Sequence, residues 1–323
     1  MTEQAWSFPA EMRPKPEDWK FDLDAALDAV VMIRSEIPED AFTAPILGTE
    51  RAGNGVVIRD DGLVLTIGYL ITEASTIWIT TNQGTVVGGF PIAYDQATGF
   101  GLVQPLGKLG VDAIARGSTS TCRLGENVVV ASQGGREHSL KATIFAKREF
   151  AGYWEYVLDE AIFTAPAHPQ WGGAALIGSS GDLLALGSLL VQEKVDAGTL
   201  QGNMLVPIDL LEPMLEPMLK TGRPNGAPRP WLGMYTTDAG AKLVVAAVAP
   251  GGPADRAGVK IGDLVLEIAG EKPAGLADLW RKLWRVGPPG CEVPLKMLRK
   301  NRVLEPRLQS ADRNDFLKKP HLH

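Results

Sequence analysis

Between Gly53 and about Leu190, short runs of β-branched and large apolar residues alternate with turn signals at close spacing. Val56-Val57-Ile58 leads to Asp60-Asp61-Gly62 and then to Leu63-Val64-Leu65-Thr66, the pattern of a hairpin. Ile77 to Thr80 is a further strand, closed by Asn82-Gln83-Gly84. Asn127 to Ser132, Ala142 to Ala146, Leu183 to Leu190 and Met204 to Val206 continue the series. Many short strands at such spacing predict a sandwich or barrel. The 36 glycines and 23 prolines in 323 residues supply the turns such a fold needs.

The best domain boundary is Thr221 to Pro230, TGRPNGAPRP, with two glycines and three prolines in ten residues. Before it, a helical pattern runs from Ile208 to Lys220. Beyond it, Leu243 to Val248 and Leu264 to Ile268 read as strands, and Leu276 to Arg285 as a helix stopped by Gly287-Pro288-Pro289-Gly290. Val293 to Leu298 and Val303 to Leu308 read as a closing pair of strands. Near the N-terminus a short helix, Asp22 to Asp28, precedes a buried strand, Ala29 to Ile33. The expected organisation is an arm at 1–25, a β domain at 26–220, a linker at 221–230, a smaller domain at 231–310 and a polar tail at 311–323.

Net charge is −6 from 32 basic and 38 acidic residues, and no Lys/Arg cluster suggests a nucleic-acid surface. The first residues carry charges throughout and do not read as a signal peptide or anchor. No run approaches the roughly 18 apolar residues that a membrane-spanning helix requires. The expected compartment is the cytoplasm, or the periplasm if a leader has been removed. The two cysteines, Cys122 and Cys291, fall in different expected domains, and nothing resembles a metal or cofactor site.

Several segments, in order and spacing, resemble one known family. Gly53 to Ile58 followed by Gly62 to Thr66 resembles a first barrel, and Gly125 to Ala131 the strand opening a second. Pro169 to Leu176 with Gly181 to Gly187 resembles a nucleophile loop and its following hairpin, and Gly202 to Ile208 the close of that domain. Trp231-Leu232-Gly233-Met234 and Pro253 to Asp263 resemble a PDZ domain. Together, over residues 27–310, they resemble the HtrA-type serine proteases. The resemblance implies a mainly β fold: a chymotrypsin-like double antiparallel β-barrel followed by a PDZ domain.

The resemblance also implies a Ser-His-Asp triad gathered from distant segments. Here the His segment reads Thr66-Ile67-Gly68-Tyr69, placing Tyr69 in the His position. The family's Asp-x-x-x-Asp-Leu-Ala reads Asp95-Gln96-Ala97-Thr98-Gly99-Phe100-Gly101, placing Gly99 at the catalytic Asp. Its Asn-Pro-Gly-Asn-Ser-Gly-Gly-Pro-Leu reads His168-Pro169-Gln170-Trp171-Gly172-Gly173-Ala174-Ala175-Leu176, placing Gly172 at the nucleophile. Glycine cannot form an acyl-enzyme. A tyrosine, with a pKa of about 10, is a poor base at neutral pH. Gln170 and Gly172 would supply the oxyanion-hole N–H donors, but Gln170 replaces a glycine and disfavours a positive-φ backbone. Trp171 either packs between the barrels or offers a stacking surface. Asp95 is read as a turn-forming side chain.

A PDZ domain captures an extended C-terminus as an added strand, its carboxylate held by backbone N–H groups. The resemblance places those donors at Trp231, Leu232, Gly233 and Met234 and the pairing strand at Met234, Tyr235 and Thr236. Leu279 and Leu283, one turn apart, would line a pocket for the last side chain. Asp263 is read as structural. Three functions remain open: a catalytically inactive homologue that binds polypeptides or protein C-termini; a serine endopeptidase with a displaced site involving Ser179, Ser180 or His168; and a structural subunit. In the last, Trp6, Phe8, Trp19 and Phe21 would drive a homotrimer or assembly with an active paralogue.

Overall fold

The computed structural model describes residues 6–195, 198–240 and 242–319. Its contacts divide the chain into two compact units. The first comprises 1–148, 160–225 and 318–323; the second comprises 149–159 and 226–317.

The first unit holds two closed antiparallel barrels. Helix α1 (Leu23–Asp28) begins where the Asp22 side chain accepts from the Ala25 N–H, 3.1 Å away. It buries Leu23 and Leu27 and leads directly into the first barrel. That barrel is β1 (Val30–Glu36), β2 (Glu50–Val57), β3 (Val64–Ile67), β4 (Thr76–Thr80), β5 (Val86–Tyr94) and β6 (Phe100–Pro105), arranged 1-2-3-6-5-4 and closed by pairing of β1 with β4. A short helix, α2 (Ala44–Leu47), lies between β1 and β2. Alternate residues of β1 point inward, so Val31 and Ile33 join Val57, Val64, Ile77 and Val103 in one apolar cluster.

The second barrel is β7 (Asn127–Ala131), β8 (Ser139–Gly152), β9 (Tyr156–Ala165), β10 (Ala175–Ile177), β11 (Leu183–Val195) and β12 (Gly198–Pro207), in the order 10-11-12-9-8-7. Its interior is lined by Val128, Val130, Ile144, Ile162, Leu176 and Leu205. The expected helix at 208–220 is a 3₁₀ turn at Ile208–Leu210 followed by α3 (Glu212–Thr221). Gly222, at φ +72°, ends it.

The second unit is a sheet of β13 (Met234–Asp238), β14 (Leu243–Val248), β15 (Leu264–Ile268), β16 (Glu292–Arg299) and β17 (Arg302–Leu304), in sequential order, with β18 (Arg307–Gln309) also on β16. Two helices complete it, α4 (Pro253–Arg256) and α5 (Leu276–Val286). Helix α5 buries Leu276, Leu279, Trp280 and Leu283, the i, i+3, i+4, i+7 stripe of a helix packed on a sheet. The strand expected over 303–308 is two short strands, separated at Glu305-Pro306 because proline has no N–H to continue a ladder. Asp263 is buried, accepts from the Lys260 N–H and forms two contacts with the Arg299 guanidinium, at 2.6 and 2.7 Å.

Two segments differ from the sequence reading. The β domain expected as continuous over 26–220 is interrupted, because the β8–β9 ribbon's tip, 149–159, packs within the second unit. The arm does not stand away from the chain. Phe8 is buried; its N–H donates to Glu137 O, and its ring and that of Trp6 meet the His168 ring at 5.0 and 5.8 Å. Met1 to Ala5 lie outside the described residues.

Candidate functional site

The structure brings Tyr69, Gly99 and Gly172 to one place in the first unit. Tyr69 lies on a 3₁₀ turn, Gly68–Leu70, directly after β3. The Gly68 N–H donates to Gly99 O at 2.7 Å, and Gly99, at φ +82°, is held in turn by Asp95 O. Asp95 is buried and accepts from the Ala97 N–H, the Thr98 N–H and the Thr98 hydroxyl. It is thus the turn-forming side chain expected of it.

The Tyr69 hydroxyl donates to Ser188 O at 3.2 Å and lies within hydrogen-bonding reach of the Trp171 side chain. Burial raises its pKa, so the phenol stays neutral and cannot act as a base. A Cβ built on Gly172 would lie 2.8 Å from that hydroxyl. The Tyr69 side chain therefore fills the space in which any side chain at 172 would begin. Beneath it, buried Arg51 donates to the carbonyls of Tyr69 and Thr72 and to the Thr43 hydroxyl. Thr43 in turn donates to the Glu73 carboxylate, whose other donors are the backbone N–H groups of Phe42, Thr43 and Lys318.

The loop at 168–173 is held by several hydrogen bonds from within the chain. The His168 ring is buried; its Nδ1 accepts from the Gln170 N–H at 3.1 Å and its Nε2 donates to His138 O at 2.9 Å. Those partners fix the neutral ring, and burial lowers its pKa to about 4. The Gln170 N–H, one of the two expected oxyanion donors, points at His168. Gln170 is not among the described non-glycine residues with positive φ. Asn54 locks the same loop. Its side-chain amide donates to Gln170 O and Gly172 O, its backbone N–H donates to Gly172 O at 2.7 Å, and its side-chain oxygen accepts from the Gln133 N–H. Gly173, at φ +73°, has no room for a Cβ, which would fall 1.9 Å from Asn54 O. Ser179 and Ser180 are exposed in the β10–β11 turn, bonded to Glu126 and Asp182. Among the described residues no group of three or more His, Cys, Asp or Glu could hold a metal ion.

The second unit gathers the other predicted site. The N–H groups of Leu232, Gly233 and Met234 converge on one acceptor, the Glu155 side chain, whose Oε1 receives all three at 3.1, 2.8 and 3.2 Å. Gly233, at φ +71°, makes the convergence sterically accessible. Glu155 is wholly buried, and burial pushes its carboxyl up to about 7 against the pull of these donors and of Arg313. Its own φ is +60°, a strained value for a non-glycine residue. On the next strand, the Thr236 N–H donates to Tyr153 O at 2.9 Å, and the Tyr235 and Tyr153 rings lie 6.1 Å apart. The Trp280 indole donates to Gly152 O.

Leu279 and Leu283 are wholly buried and share one apolar cluster with Leu232, Met234 and hairpin residue Val157. Neither presents surface to solvent among the described residues. Trp231 pairs in both directions with Ala311 and packs on Phe316 at 5.0 Å, so its N–H, expected as a peptide donor, belongs to the domain's own framework. Sequence reasoning missed Glu155, Asn54, Arg51 and Glu73. Each is an isolated polar residue whose importance comes from long-range packing that local pattern does not record.

Comparison with known proteins fits this architecture. Residues 53–186 match the family model of the trypsin-like peptidase domain, and residues 230–309 match that of the PDZ domain. In this order of domains the chain is similar to proteins of the HtrA type. Serine endoprotease DegS of Haemophilus influenzae is 21% identical over 265 residues, covering 80% of this chain and 76% of that protein. A probable periplasmic DegP-like serine endoprotease of Halomonas elongata is 23% identical over 260 residues, 76% of this chain. The match spans about half, 53%, of that relative's length. The HtrA-type protease AlgW, solved with a tripeptide, superposes with a TM-score of 0.52 at 18% identity, covering 93% of this chain and 99% of that one. The serine endoprotease from Yersinia pestis gives a TM-score of 0.51 over 90% of this chain and 98% of that one, also at 18% identity. The HtrA-type fold is therefore shared, and none of the described helices is long and apolar enough to cross a membrane.

Proposed function

We propose that this chain is a catalytically silent HtrA-type protein that captures polypeptides, chiefly free C-termini, through its PDZ domain. One observation carries the silent half: the Tyr69 hydroxyl takes up the space in which a nucleophile at position 172 would stand. The loop supports it, since the Gln170 N–H is consumed by His168 and Gly172 O by Asn54. Loss of one triad member already costs orders of magnitude in rate, and here all three positions lack the required group.

The convergent N–H groups of Leu232, Gly233 and Met234 support the binding half, because they already hold a carboxyl group. The relative AlgW was solved with a tripeptide, in keeping with peptide as the ligand class. A displaced serine site is disfavoured. Both His168 ring nitrogens are occupied, and Ser179 and Ser180 are exposed turn residues whose hydroxyls bond Glu126 and Asp182, not a histidine. The role of a structural subunit is also less favoured, since Trp6 and Phe8 pack on this chain's own histidines. A reducing compartment suits the free thiols Cys122 and Cys291, although relatives carry the name periplasmic.

A serine-directed fluorophosphonate tests the reading. The expected result is no covalent adduct at a reagent concentration that fully labels an active serine endoprotease. Stoichiometric labelling mapped to one serine would overturn it.

A further inference from the structure

The N–H groups expected to hold a peptide's terminal carboxylate already have an acceptor within this chain. A bound C-terminus makes two kinds of contact: its carboxylate is held by the loop N–H groups, and its backbone extends the neighbouring strand. The β8–β9 tip reproduces both. The Glu155 carboxyl takes the N–H groups of Leu232, Gly233 and Met234. Two residues earlier, Tyr153 O takes the N–H of Thr236, two residues along the strand from Met234. The two contacts, one through the Glu155 side chain and one through the Tyr153 backbone, run antiparallel to β13.

Three further observations show that this is a seated segment rather than a passing contact. Val157 is buried among Leu232, Met234, Leu279 and Leu283, where a captured side chain would sit. Glu149 and Asp159, flanking the tip, both pair with Arg281 of α5 at 2.5 Å. Glu155 also holds a positive φ, a conformation that persists only where surrounding contacts impose it. The whole of 149–159 belongs to the PDZ unit by its contacts.

We propose that residues 152–157 are a built-in ligand of the PDZ domain, with the Glu155 side chain standing in for a terminal carboxylate, so that an incoming C-terminus binds only by displacing this hairpin. This rests on the peptide-capture reading and adds its regulation. Capture becomes a competition, and the apparent affinity falls by the fraction of molecules in which the hairpin is docked. A partner or modification that draws the hairpin away would switch the site on without touching the groove.

The test uses the full chain and a fluorescein-labelled peptide, Ala-Gly-Tyr-Trp-Val, with a free C-terminal carboxylate. Binding is followed by fluorescence anisotropy. Glu155→Ala is expected to bind at least tenfold more tightly than the unmodified protein, and the C-terminally amidated peptide should lose that gain. Glu155→Gln keeps an acceptor oxygen for the three N–H groups and leaves the hairpin docked, so its affinity should stay within about threefold of the unmodified protein. Hydrogen exchange at Leu232, Gly233 and Met234 should quicken in Glu155→Ala and slow again on adding peptide, which separates release of the hairpin from unfolding. Equal, tight binding to the unmodified protein and to Glu155→Ala would overturn the built-in ligand while leaving peptide capture intact. Binding to neither would remove the capture reading, and the proposal with it.

Discussion

At the scale of single residues, the space around Gly172 decides what the barrel unit can do. Glycine fits there without displacement, whereas a Cβ would lie 2.8 Å from the Tyr69 hydroxyl and 3.7 Å from the next ring atom, Cζ. The clash therefore belongs almost wholly to one oxygen. Gly172→Ala should cost about 1–3 kcal/mol of stability as an overpacked site. In a Tyr69→Phe background the same change should cost less than about half of that, a coupling that a double-mutant cycle by denaturant unfolding would measure. Equal costs in both backgrounds would mean that Tyr69 does not close the position. The resemblance singled out Tyr69, Gly99 and Gly172 in the sequence, and the fold brings them together. The manner in which the tyrosine occupies the nucleophile's space was not legible there, because it depends on two segments about a hundred residues apart.

At the scale of elements, the loop from His168 to Gly173 is a structural clamp built where the resemblance implies an oxyanion loop. His168 is buried and neutral, with its pKa depressed to about 4. An unfolded histidine titrates near 6.5, so the native state binds fewer protons than the unfolded chain between these values. The stability His168 contributes is therefore complete above pH 6.5 and is lost as the pH falls through 6.5 towards 4. At about 1.4 kcal/mol per unit the loss approaches roughly 3 kcal/mol. Because buried Glu155, raised to about 7, titrates with the opposite sign over the same range, the drop is read as a difference: between pH 7 and pH 4.5 the unmodified protein should lose stability relative to His168→Gln in urea unfolding. An unchanged slope in that variant would show that the ring is not the titrating group. The sequence marked His168 as a candidate base; its buried surroundings, including Phe8 from the N-terminal arm, make it a strut instead. Hairpin signals around Asp60-Asp61-Gly62 were readable because turn chemistry is local. Strand β9 escaped because Asp159 and Glu160 interrupt its apolar pattern, and their solvent exposure is visible only in the folded ribbon.

For the molecule as a unit, strand spacing and the Gly/Pro-rich linker made a β domain followed by a smaller domain legible, and the resemblance supplied the double barrel and the PDZ domain. The exchange of residues 149–159 into the PDZ unit was not, for a ribbon tip has no sequence mark that names its destination. The arm makes a related point. Phe8 is 7% exposed and bonded to Glu137, so the described arm behaves as part of the second barrel. Phe8→Ala should lower stability by about 3–5 kcal/mol if the site does not collapse, a loss measurable by thermal unfolding. Light scattering should show the same mass for that variant as for the unmodified protein; a fall in mass would assign the arm to assembly rather than to this chain's own core.

Whether this chain holds polypeptide without cutting it is decided by prolonged incubation with casein, read by mass spectrometry of the casein. Casein should stay intact over a period in which an active serine endoprotease reduces it to peptides. Casein fragments whose appearance is abolished by a serine-directed fluorophosphonate would contradict that expectation.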